Sequence, residues 1–269
     1  MSEGALAAPV VTQEQAWRVY GIVPSDIELP DLGTIDDQPG TEGLKDRELE
    51  LLRHGPIAAV VEAIDPSRPA RRADLLAHSA ILNALAARNP VIPIAFGSAF
   101  PEREQVVDGF LSAPGNAEAL SERLHELSGL AQFQIRVRYL MDDLLTKIIA
   151  ADGEITQLRE RTRDLSEDES YSDRVRLGEL VSHAVERRLS ADAAAMIEAL
   201  GASARDSQVS ARSDSAPSLS LAFLVADTDR SRFEAAAEQA AEELYDLAVV
   251  ELRGPLAPFD FVSDLTPGR

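Results

Sequence analysis

The run Pro90-Val-Ile-Pro-Ile-Ala-Phe-Gly-Ser-Ala-Phe100 is free of charge in a chain with 46 acidic and 26 basic residues. Pro90 and Pro93 interrupt any helix there, and Gly97-Ser98 offers a turn, so the run reads as a buried strand with a tight exit. Such a strand needs apolar cover on both faces, and the rest of the chain must supply that core. Phe96 is expected inside it. Gly97 is expected to answer a backbone requirement at the corner.

At 269 residues the chain has room for one large domain or two of ordinary size. Cysteine is absent, which removes disulfides, thiolate catalysis and zinc-thiolate or iron–sulfur sites, and fits a reducing cytoplasm. The net charge of -20 disfavours nucleic acid and anionic lipid as partners. No segment approaches the roughly twenty apolar residues of a membrane span. Met1 to Val11 lacks the basic and apolar regions of a signal peptide, and residues 1–14 are expected to form a disordered lead.

Two α+β domains are expected, at 15–131 and 132–269. In the first, Ala16 to Val23 reads as a strand stopped by Pro24, and Leu32 to Ile35 as at most a short strand. Glu48 to Arg53 and Ile57 to Ile64 form a hairpin across His54-Gly55-Pro56. A helix from Asp74 to about Asn89 places Leu75, Ile81, Leu82 and Leu85 on one face. Short helices at Val106 to Leu111 and Ala117 to Leu130 follow.

The second domain opens with strict alternation: Phe133, Ile135, Val137 and Tyr139 against Gln134, Arg136 and Arg138. Helices at 141–151 and 155–165 come next, then a polar, acidic stretch, Ser166 to Asp173, expected to bend or fray. A long amphipathic helix runs from Arg174 to Leu200. Strands at Ala202 to Val209 and Ser218 to Val225, a helix at Ser231 to Tyr245 and a strand at Ala248 to Leu252 complete the order β-α-β-β-α-β. That order is a modified ferredoxin-like fold with a helical insertion at about 141–200 and a C-terminal tail.

No constellation for catalysis, metal or cofactor binding emerges. Gly97-Ser98 follows a strand, as phosphate loops do, but neither phosphate-binding glycine fingerprint occurs, so a structural corner is the reading. His54, His78, His125 and His183 lie in different elements without metal-ligand spacing. His78, between Leu75 and Leu82, reads as a core histidine bonded to the backbone or a neighbour. Arg136 and Arg138 are expected to pair with the chain's own acids. In the tail, Pro255 and Pro258 stiffen a segment ending in Phe259 and Phe261, suited to docking on the body or on a partner.

Three stretches, in order, resemble one family: Tyr20-Gly21-Ile-Val23, the His78 helix leading into Pro93-Ile-Ala-Phe96-Gly97-Ser98, and Leu252-Arg-Gly254-Pro255-Leu-Ala-Pro258-Phe259-Asp-Phe261-Val262. Together they resemble the GvpL/GvpF gas vesicle proteins over nearly the whole chain. The chain differs from that pattern at Ala95, where the family carries an arginine, and at Leu256, where it carries an aromatic residue. The resemblance implies a cytoplasmic, vesicle-associated accessory or minor structural protein without enzymatic activity or cofactor. Its implied partners are the hydrophobic gas vesicle shell protein and other gas vesicle accessory proteins, with no nucleic acid and no membrane. A ferredoxin-like small-molecule sensor or enzyme with a pocket between the domains is the rival class.

Overall fold

The computed structural model describes residues 15–35, 43–210 and 217–262, so the expected disordered lead lies outside the described residues. The chain mixes helix and sheet in two compact units. The first takes the chain up to Gly129 and again from Leu256, and the second is Leu130–Pro255. This differs from the division expected from sequence, which gave the second domain everything from 132 to 269. The tail returns because Ala257 N–H donates to Asn83 Oδ1 at 2.9 Å within the first unit.

The first unit contains β1 (Ala16–Pro24), β2 (Leu49–His54), β3 (Ile57–Ile64), α1 (Arg72–Ala86), β4 (Ile92–Pro93), β5 (Ala99–Phe100), a π-helical segment Gln105–Leu111 and α2 (Asn116–Glu126). Its sheet runs β2-β3-β1-β4, with β5 also on β1, and β1 pairs antiparallel with β3, β4 and β5 as β2 does with β3. Val19 to Val23 and Ile57 to Val61 are buried without alternation, as strands covered on both faces are.

Three local expectations are corrected here. Leu32–Thr34 is a 3-10 turn and not a strand, because the Asp31 carboxylate accepts the Gly33 N–H and closes the backbone locally. The run from Pro90 to Phe100 is two short strand pieces, since Pro93 cannot donate to a ladder and the backbone reverses at Gly97, whose φ is 95°. In α1 the buried stripe is Asp74, Ala77, His78, Ile81, Leu82 and Leu85. Leu75 lies about 100° round the wheel from Asp74 and is exposed.

The second unit contains β6 (Leu130–Tyr139), α3 (Met141–Ala151), α4 (Gly153–Arg163), α5 (Glu167–Gly201), β7 (Asp206–Val209), β8 (Ser218–Ala226), α6 (Arg230–Glu242) and β9 (Ala248–Leu256). Its sheet runs β7-β8-β6-β9, with β8 antiparallel to both neighbours. The alternation of β6 sends Phe133, Ile135 and Val137 into one core with Phe223 and Phe233. Ser166 to Asp173, expected to fray, instead begins α5. Ser166 and Glu169 form a reciprocal capping box, and acids in the first turn suit the positive end of the helix dipole.

Candidate functional site

β1 and β3 bring the first cluster together. Their antiparallel register sets Arg18 opposite Glu62, and Tyr20 projects from the same strand as Arg18. Glu62 is the single charge in the apolar strand Ile57 to Ile64, and three donors converge on its carboxylate. Tyr20 Oη donates to Oε2 at 2.7 Å, Arg18 Nη1 reaches it at 3.3 Å, and Arg47 Nη1 bonds Oε1 and Oε2 at 3.0 and 2.9 Å.

Arg47 continues to α1, where its Nη2 donates to Asp74 Oδ1 at 2.8 Å. Arg68 reaches the same oxygen at 2.7 Å, and the Arg71 backbone N–H donates to Oδ2 at 2.9 Å. Burial alone would raise the Asp74 pKa. The Arg71 N–H and the two guanidiniums outweigh it and hold the carboxyl down at about 2. Burial pushes the Tyr20 hydroxyl well above its ordinary pKa, and the Glu62 carboxylate pushes it further.

His78 completes the cluster from the buried face of α1. Its Nε2–H donates to the Ile94 carbonyl at 2.9 Å, which is the backbone bond expected of a core histidine, and Nδ1 has no partner among the described residues. Burial lowers its pKa to about 4, with the Ile94 carbonyl opposing and Arg18 and Arg47 assisting, so the ring is neutral at pH 7. The ring stacks on Tyr20 with centroids 5.0 Å apart and meets Phe96 edge-on at 5.5 Å. The Arg18 guanidinium lies over the other aromatic, 5.6 Å from the Phe96 centroid.

Tyr20, Gly21, His78, Pro93 and Phe96 therefore meet in one place. Gly21 pairs with Pro93, and a Cβ there would stand 2.9 Å from the Ile92 carbonyl oxygen and 2.9 Å from Leu82 Cδ2, so helix and strand can close only over glycine. Phe96 departs from expectation. It is half-buried at the edge of the cluster, beside an exposed Ala95, because the chain is already turning towards Gly97.

The C-terminal motif divides. Gly254 and Pro255 end β9, and a Cβ on Gly254 would lie 2.5 Å from Phe133 Cδ1. Pro258 is buried in the first unit and Phe259 packs against its core. The Phe261 carbonyl accepts from Arg123 Nη2 at 2.6 Å. Arg138 pairs with Glu251 at 3.4 Å, whereas Arg136 is exposed without a partner among the described residues.

The four charged partners Arg18, Arg47, Glu62 and Asp74 were not foreseen as a network. The one sequence clue was a lone glutamate inside an apolar strand. Also unforeseen is a groove of about 310 Å3 in the second unit, where Ile135, Ala237, Ala241, Val250 and Leu252 form an apolar floor and Glu234 and Glu238 a rim. It lies along β9, the edge strand of the sheet, on which Val249 and Leu252 are exposed.

A family model described as gas vesicle synthesis protein GvpL/GvpF matches residues 16–263. The chain is 31% identical over 247 residues to gas vesicle protein F of Streptomyces sp. (strain CB03234), covering 91% of this chain and 98% of that one. The crystal structure of gas vesicle protein GvpF from Anabaena sp. PCC7120 matches with a TM-score of 0.73 at 18% identity, over 93% of this chain and 98% of that one. GvpF from Microcystis aeruginosa matches at 0.70 and 18%, over 92% and 99%. At that identity the two structures speak for the fold alone.

Proposed function

The chain belongs to the GvpL/GvpF family of gas vesicle synthesis proteins, and from that premise we propose that it is a non-enzymatic accessory or minor structural protein of gas vesicle assembly. In this reading it works in the cytoplasm in association with vesicles, and binds the hydrophobic shell subunit and other assembly proteins. The observation that carries the reading is the family match over residues 16–263.

The first-unit cluster supports the non-enzymatic part. Its acids and bases are bound to one another, its tyrosine is bonded to Glu62, and its histidine proton is held by a backbone carbonyl. Groups so engaged hold a helix to a sheet. Tyr20, Gly21, His78 and Pro93 act here as structural residues, and Pro258, Phe259 and Phe261 as the clasp that returns the tail.

The second unit is a modified ferredoxin-like domain in this reading, supported by its element order and by the sheet order β7-β8-β6-β9. The shell subunit meets it along β9. An edge strand offers unpaired backbone groups, and the adjoining groove offers apolar floor for alternate side chains of an added segment.

Deletion of the gene together with affinity purification of the tagged chain from vesicle-forming cells tests this. The expected result is loss of vesicles on deletion and retention of the shell subunit by the tagged chain. Normal vesicles after deletion, with a purified protein that binds a metabolite saturably, would overturn it.

A further inference from the structure

A second groove, of about 580 Å3, runs between α4 and α5 and is lined by Thr156, Arg159, Glu160, Arg163, Arg174 and Leu177 among others. Arg159 and Arg163 stand one turn apart on α4, so both guanidiniums serve one face, and Arg174 joins them from α5. In a chain with a large excess of acid, an arginine has carboxylates within easy reach. Arg161 takes Asp173 at 2.8 Å, and Arg176 takes Glu154.

Exposed arginines without an ion pair, such as Arg136, occur elsewhere among the described residues, but this groove gathers such side chains in one place. Among the described residues Arg159 and Arg163 make no ion pair or side-chain hydrogen bond, and Arg174 bonds only Ser170 Oγ at 2.8 Å and the Leu165 carbonyl at 3.4 Å. Three cations therefore face one lining carboxylate, Glu160. Tyr171, one turn before Arg174 on the same helix face, is 72% exposed. Tyrosine and arginine are the side chains that most often dominate protein contacts.

We propose that the α4/α5 groove is a docking site for a short acidic helix of a partner protein, with carboxylates one turn apart facing Arg159 and Arg163 and an apolar side chain against Leu177. A guanidinium fork matches carboxylate and phosphate alike. A short helix with a few carboxylates carries far less charge for a chain of net charge -20 to repel than polymeric phosphate or an anionic membrane, which therefore fit less well. The spacing favours a helix, since carboxylates one turn apart repeat the separation of the two arginines. The site is separate from the β9 edge and does not depend on the shell-subunit reading.

Titration calorimetry of the full chain with a helical peptide carrying glutamates one turn apart around a leucine, and with its glutamine counterpart, tests the proposal. The glutamate peptide should bind at least about tenfold more tightly, a difference that one or two good charge pairs supply. Binding should weaken as salt rises. The double variant R159E/R163E should lose binding while melting like the parent, since both side chains are exposed, and Glu160→Gln should tighten it. Equal binding of the two peptides, binding of neither, or an unchanged R159E/R163E variant overturns the proposal. A stronger response to inorganic phosphate or to phosphatidylserine vesicles than to the glutamate peptide overturns it too.

Discussion

In the first unit, α1 meets its sheet through Arg47, Glu62, Asp74 and His78 as well as through leucine and isoleucine. In the second, the sheet and helices meet through Phe133, Phe223 and Phe233, whose ring centroids lie 5.3 Å apart in two pairs, and the buried polar side chains are all uncharged among the described residues. The contrast separates two ways of specifying a core. Apolar packing is strong and indifferent to pH, whereas a buried ion network fixes geometry and makes stability depend on protonation.

The largest effect should come from breaking the apolar core. Phe233→Ala removes a fully buried ring held between two others, and should cost about 3–5 kcal/mol in chemical denaturation. Hydrogen exchange should show the loss in amides of the second unit.

Acidification should act on the other unit. The His78 pKa falls from an ordinary 6.5 to about 4 on folding, so the unfolded chain takes up the proton first. Its contribution is complete above about pH 6.5 and is lost as pH falls towards 4, on the order of 3 kcal/mol. Asp74, lowered from 3.8 to about 2, extends the loss from about pH 4 down towards pH 2. Lowering the pH from 7 to 4 should therefore destabilise the first unit well before the second, as hydrogen exchange reads it, and His78→Leu should remove that slope. A slope of equal size in both units would erase the contrast.

Smaller effects sharpen it. Gly21→Ala sets a methyl 2.9 Å from the Ile92 carbonyl oxygen and should cost about 1–3 kcal/mol in thermal melts, as overpacking does. Phe96→Ala should cost only about 1 kcal/mol, since the ring is half-buried and loses mainly its contacts to His78 and Arg18. A loss several times larger would place Phe96 in the core after all.

Much of the fold is legible in local pattern. The alternation of Phe133 to Tyr139 marks the core face of β6, and His54-Gly55-Pro56 marks the hairpin. What was not legible depends on long-range pairing. Glu62 finds Arg18 and Tyr20 at separations of 44 and 42 residues, and Ala257 finds Asn83 at 174, distances no local period can encode.

The start of α5 departs from its local pattern for a different reason. Acidic density looks like a solvated bend, yet Ser166 and Glu169 stand at capping-box spacing, and that signature was present in the sequence. The α4/α5 groove left no trace there, because an unpaired surface arginine looks like any other until its neighbours are placed.

In the proposed function, motif residues of the first unit hold structure and the β9 edge of the second makes the shell contact. Affinity purification of the tagged Leu252→Asp variant from vesicle-forming cells tests it most directly, since Leu252 is 39% exposed on that strand and lines the apolar groove. The expected result is an unchanged melting temperature with recovery of the shell subunit reduced at least about tenfold, the effect of losing one buried anchor. Recovery equal to that of the parent chain would contradict it.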